Sequence, residues 1–208
     1  MPTQTPWGPS QSSKKIAVGI MEYTTPSHGG IHLSAKKNLL VHEAWRTKDG
    51  FYEEDVQWSI VACTFPTLFP EHIAQARTTA KNYYPHQFMK VYETTVHLHE
   101  SSILREEADS KQYADQWIAV SAFGNWHAKV PEGKIAVCCV KGGQGIRTGG
   151  IQGKEERWFM IEADQYKDPT KRCSLGYIVQ PWDMKIDPLS AIHSKRRAID
   201  IYPRMINR

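Results

Sequence analysis

The chain has 208 residues, of which 40% are hydrophobic and 11% aromatic, enough for one packed domain, or for a domain with a sizeable tail. Seven tryptophans exclude wholesale disorder, which goes with aromatic-poor composition. A formal charge of +4 with 23% charged residues permits an acidic partner and does not demand one.

Residues 1–14 hold prolines, serines and glutamines and are expected to form an extended arm, with Trp7 docking onto the body. "KIAVGIMEY" (15–23) reads as one strand with Gly19 as a weak point, and "GIHLS" (30–34) as a second. The intervening "TTPSHGG" is turn chemistry. Pro26 sets φ, and Gly29 and Gly30 permit positive φ, so an N-terminal antiparallel hairpin with a long loop is expected.

Three helices should follow. "EEDVQWSIVACTF" (53–65) places Glu53, Glu54 and Asp55 in a first turn, where acidic groups meet the positive end of the helix dipole. Val56, Ile60 and Cys63 recur at helical spacing, and Pro66 should end the helix. "EHIAQARTTAKNYY" (71–84) carries the stripe Ile73, Ala76, Ala80, Tyr83 and should close at Pro85. "SSILREEADSKQYADQ" (101–116) has a serine cap and a polar outer face.

The pattern then changes to short, apolar, turn-bounded strands at 117–124, 134–141, 156–163 and 175–180. Val120, Ile135, Val137, Phe159, Ile161 and Ile178 are expected in their core. The glycine-rich stretch 141–154 reads as a flexible hairpin loop, and the chain from Pro181 to Arg208 as an irregular basic tail. This order predicts an α+β fold: hairpin, about three helices, then a mainly antiparallel sheet, with a single domain over 15–180.

Cys63, Cys138, Cys139 and Cys173 show no zinc-type C-x-x-C spacing. The N-terminus has no apolar signal core and no run approaches spanning length, so a cytoplasmic protein with reduced thiols and no membrane contact is expected.

"WGPSQ", "IAVGIMEYTTPSHGGIHLS", "FYEEDVQWSIVACTFP" and "WIAVSAFGNW", in that order, resemble an uncharacterised-domain family carrying W-G-x-x-Q, Y-x-T-x-S-H-G-G and Y-E-E-D. The resemblance covers roughly 6–180. It implies a setting in phages, plasmids and other bacterial mobile elements, and assigns no catalytic residue.

His28, with Ser27 before it and Gly-Gly after it, is a candidate general base, because the pKa of histidine lies near neutral. "SHGGIHL" is also similar to the H-x-G-I-x-L setting of the histidine in papain-like cell-wall hydrolases. Cys63 is a poor partner for it, since a predicted helix end raises a thiol pKa. His32 shares a strand face with His28, and the pair could hold a metal with Glu53, Glu54 or Asp55. His97 and His99 form a second candidate pair, with Glu100 or His127 as a third ligand. Neither arrangement is decided by spacing, and no cofactor is expected.

Lys141, Arg147 and Lys154 in the glycine-rich loop, and Lys195, Arg196 and Arg197 in the tail, are candidate contacts to nucleic acid or an acidic partner. Trp7, Trp45, Trp126 and Trp182 read as exposed aromatics suited to an interface. With no complete catalytic constellation, the expected function is a mobile-element accessory protein. It would bind a host bacterial protein or nucleoprotein as counter-defence inhibitors such as anti-CRISPR or anti-restriction proteins do. The alternative is a small hydrolase or transferase with His28 as base.

Overall fold

The computed structural model describes residues 3–143 and 155–189. The fold is α+β with antiparallel sheets, and the chain divides into two compact units, Met1–Ile103 and Leu104–Arg208.

The first unit opens with a two-stranded ribbon, β1 (Gln4–Thr5) and β2 (Gly8–Pro9), where an extended arm was expected. Next comes a four-stranded antiparallel sheet in the order β3 (Ser12–Ala17), β4 (Ile20–Thr24), β5 (Gly29–Leu33), β6 (Phe51–Glu53). The expected single strand over 15–23 is therefore two. Gly19 adopts φ +77 and turns the chain, so that Ala17 pairs with Ile20. A left-handed residue cannot continue a strand, and glycine takes that conformation without strain.

Residues 34–50 connect β5 to β6 and include a short helix, α1 (Ala35–Asn38), whose backbone N–H at Lys37 donates to the Ser34 hydroxyl. Phe51–Glu53 then pairs with β5, His32 opposite Phe51 and Gly30 opposite Glu53. The helix expected over 53–65 accordingly starts late, as α2 (Trp58–Thr64). Strand pairing claims the acidic residue that was expected to open the helix.

One face of the sheet presents Ile20, Ile31, Leu33 and Tyr52, all buried, and α2 packs against β5 and β6 through its own buried run Ser59–Cys63. α3 (Ile73–Tyr83) lies against α2 through Ala76 and Ala80. Pro85 ends α3 as expected but also begins α4 (Pro85–Tyr92). Its missing N–H costs nothing at the first helical position, where that donor has no intrahelical acceptor. α5 (Ser102–Gln112) starts where the Ser102 N–H donates to the Asn82 side chain.

The second unit is built on an antiparallel sheet in the order β12 (Met184–Ile186), β9 (Glu156–Glu162), β8 (Lys134–Lys141), β7 (Trp117–Phe123). β8 is buried without interruption from Ala136 to Val140, because both of its faces are covered. Val137 and Cys139 pack with Ala119, Phe159, Ile161 and Tyr177, while Ala136 packs with Val130 and Leu189. A short helix, α6 (Ala163–Lys167), follows β9 directly.

Two expectations for this sheet are corrected. The strand placed at 175–180 shrinks to β11 (Gly176–Tyr177), paired with β10 (Arg172–Cys173). Only an isolated antiparallel bridge, Ile178 to Ile118, with the Val179 N–H donating to the Trp117 carbonyl at 2.9 Å, ties the stretch to β7. The fourth strand of the sheet comes instead from 184–186, inside the stretch expected to be irregular. Val137, Phe159 and Ile161 are core as expected, whereas Val120, Ile135 and Ile178 are only half-buried. At Val120 the cause is a register shift between Ala119 and Ser121, which leaves that residue out of the β7–β8 pairing. Among the described residues, no helix is long and apolar enough to cross a membrane.

Candidate functional site

The S-H-G-G loop closes through Thr25. Its backbone N–H donates to the His28 carbonyl at 2.7 Å, and its hydroxyl both donates to that carbonyl, at 2.9 Å, and accepts from the His28 N–H, at 3.1 Å. Thr25 is itself buried, so the loop is fastened by threonine. Gly29 and Gly30 lie in β5, outside the positive-φ residues, and not in the turn.

Both glycines are required by close packing. A β-carbon at Gly30 would collide with the Trp7 indole and with the Tyr52 carbonyl oxygen. A β-carbon at Gly29 would collide with the Glu54 carboxylate and meet the Tyr23 carbonyl oxygen at 3.0 Å. Thus Trp7 of W-G-x-x-Q and Glu54 of Y-E-E-D seat on the two adjacent glycines of S-H-G-G. Adjacent strand residues face opposite sides of a sheet, so the two neighbours arrive from opposite sides. The Glu54 N–H also donates to the Gly29 carbonyl at 3.1 Å, extending the β5–β6 pairing by one residue.

At this end of the sheet, a ring nitrogen of His28 and carboxylate oxygens of Glu53 and Glu54 all lie within 4.8 Å of one another. His28 and Glu53 are half-buried and Glu54 is exposed. Burial raises the Glu53 carboxyl above the usual carboxylate range, opposed by the hydrogen bond it accepts from the Asp55 N–H at 2.8 Å. Asp55 stays exposed and outside the group. Ser27 is exposed on the loop, and no contact joins it to His28 or His32 among the described residues.

His32 does not join His28. Its ring packs tilted against Phe51 at 4.3 Å between centroids, with Tyr23 at 6.4 Å, and burial lowers its pKa. Trp7 meets Phe51 edge-on at 5.9 Å, so His32 belongs to an aromatic layer on one face of the sheet. Of the metal arrangement expected around His28 and His32, the structure keeps His28 and the glutamates and leaves His32 out.

The other candidates separate. Cys63 is buried in the last turn of α2, where burial pushes its thiol up, and it has no part in the His28 group. His97 and His99 are not on a strand. They flank the start of a 3-10 turn, Leu98–Glu100, with rings stacked at 5.7 Å. Glu100 is committed there to the His97 N–H at 2.9 Å and to the Lys81 ammonium at 2.6 Å, which together hold its carboxyl at about 2. His127 is buried with Nδ1 accepting from the Lys129 N–H.

Lys141 is exposed at the end of β8, whereas Arg147, Lys154, Lys195, Arg196 and Arg197 lie outside the described residues. Trp126 and Trp182 are exposed, as an interface role expects. Trp45 is buried against Phe88 and Tyr92, and Trp7 is half-buried on Gly30, so both serve packing. The Trp7–Gly30 and Glu54–Gly29 contacts were missed because a Gly-Gly pair reads as a turn. The available signal was that both glycines precede a strand-forming I-H-L run.

Residues 1–114 match a family described as a domain of unknown function, DUF7007, and the chain belongs to that family. The matched stretch takes in the whole first unit with its three converging segments, and ends well short of residue 180. No curated protein and no solved structure matches the chain.

Proposed function

We propose that this DUF7007 protein is a small hydrolase or transferase working at the face formed by His28, Glu53 and Glu54. One observation carries this reading: a histidine ring on a threonine-fastened loop lies within 4.8 Å of two carboxylates delivered by a separate strand. Residues as far apart in sequence as 28 and 54 are held together by β5–β6 pairing, and not by chance proximity of flexible chains. Chemically, the imidazole accepts the proton of a water or hydroxyl nucleophile, and a neighbouring carboxylate stabilises the imidazolium that forms. Solvent reaches the group through the exposed Glu54 side.

The test is a screen for turnover of chromogenic ester, amide and phosphodiester substrates by the wild-type protein, His28→Ala and Glu54→Gln. Removal of a positioned base should cost about a hundredfold or more in rate with the melting temperature unchanged. Absence of turnover on every substrate class, or a His28→Ala protein as fast as wild type, overturns the reading.

A second reading is the mobile-element protein that binds a host protein or nucleoprotein in counter-defence. It is favoured by Trp126 and Trp182, which are 62% and 60% exposed in the second unit, beyond the family match. Large exposed aromatics are what binding hot spots use. Capture from a bacterial lysate should then fail for Trp126→Ala with Trp182→Ala and survive His28→Ala.

A further inference from the structure

We infer that His28, Glu53 and Glu54 form a binding site for one divalent transition-metal ion, of the Zn2+ or Mn2+ class. The inference shares its location with the proposed catalytic face, and it stands whether or not that face turns over a substrate.

The donor set is one imidazole nitrogen and two carboxylate oxygens, which suits these ions and leaves positions for water. Softer ions would call for thiolate, and among the described residues no cysteine lies in the group. Donors sharing one such ion sit roughly 3–3.5 Å apart, from metal–ligand distances of about 2.1 Å. Separations that do not exceed 4.8 Å therefore need a closure of at most about 1–2 Å. Exposed Glu54 supplies that motion by rotating its side chain, while half-buried His28 and Glu53 are held by the loop and the strand.

Availability points the same way. Among the described residues the polar contacts of His28 run through its backbone, to Thr25, and the bond from Glu54 is made by its backbone N–H. Among the described residues neither the His28 ring nor the Glu54 carboxylate has a hydrogen-bond or ion-pair partner. Among the described residues neither Glu53 nor Glu54 forms an ion pair, so two carboxylates meet beside a half-buried ring. The histidine pair at His97 and His99 offers a contrast, since its neighbouring carboxylate is already taken by Lys81. A bound cation would also take over the activation of water from His28, because metal coordination lowers the pKa of a water ligand.

The experiment is calorimetric titration of the full chain with Zn2+, and electron paramagnetic resonance of added Mn2+, at neutral pH. Wild type should show one saturable site. His28→Asn and Glu54→Gln should each weaken it at least about tenfold, a change well above titration error. A His97→Ala, His99→Ala double variant should bind as wild type does. Glu54→Gln alters an exposed side chain and keeps the comparison valid if His28→Asn fails to fold. No saturable binding at millimolar metal, or binding unmoved by Glu54→Gln, overturns the site. A protein that binds the ion yet hydrolyses nothing sinks the catalytic reading alone, and a protein that turns over substrate but binds no ion sinks only the cation site.

Discussion

The indole of Trp7 lies directly on the α-carbon of Gly30, with the Tyr52 carbonyl oxygen closing the other side of the space that a side chain would need. Two residues more than twenty positions apart thereby fix how the N-terminal ribbon seats on β5.

Gly30→Ala should therefore destabilise the protein by about 1–3 kcal/mol through overpacking. Its neighbour behaves differently. The group in the way at Gly29 is chiefly the far end of the exposed Glu54 side chain, which can swing aside. Gly29→Ala should cost less stability and instead move Glu54 away from His28. Urea denaturation of the two variants side by side, followed by circular dichroism, checks the order. Equal costs would show that the indole contact does not discriminate between them.

The burial of His32 couples folding to pH. Its folded pKa lies below the unfolded value of 6.5, because burial against Phe51 and Tyr23 disfavours the charged ring. The folded form thus binds the proton less well than the unfolded chain. The contribution to stability is complete above pH 6.5 and is lost as the pH falls through the lowered folded value. His32→Gln should remove part of the rise in melting temperature between mildly acidic and neutral pH. An unchanged profile would place the dependence on another group.

Glu100 acts lower on the scale. The His97 N–H and the Lys81 ammonium hold its carboxyl near 2, so its stabilising effect is present above the ordinary carboxylate value of 4.5 and fades as the pH falls towards 2. Glu100→Gln should lower the melting temperature at pH 7 and match wild type near pH 2. A gap that persists in acid would mean that shape, and not charge, is what the substitution removes.

Tyr52 is fully buried, and its hydroxyl donates to the Asn38 side-chain oxygen at 2.6 Å while accepting from the Thr47 N–H at 3.3 Å. This links β6 to α1 and to the connection between them. Tyr52→Phe leaves a buried amide oxygen and a backbone N–H short of a partner, and should cost about 1–3 kcal/mol. Amide hydrogen exchange should quicken at Thr47 first. Loss of stability without that local change would point to packing alone.

The sequence by itself determined the class of the fold and several of its elements. The stripe Ile73, Ala76, Ala80, Tyr83 recurs at helical spacing, and α3 follows it. The apolar runs near 117, 134 and 156 become three of the four strands of the second sheet, because short β-rich runs bounded by turns have little else to form. His28 was visible too, since histidine next to serine and paired glycines is unusual chemistry in any chain.

Only the tertiary structure decided what His28 meets. Glu53, Glu54 and Asp55 are equally good as a helix start, and nothing local distinguishes that role from a strand end. Pairing with β5 makes the choice, placing Glu53 opposite Gly30 and Glu54 beside Gly29. The same holds for Gly29 and Gly30. A glycine pair satisfies a turn and a crowded strand alike, and which applies depends on whether Trp7 and Glu54 arrive on either side. The short strand at 184–186 was hidden for a related reason. Three residues carry too weak a period to be recognised, and they become a strand because the edge of β9 is there to receive them.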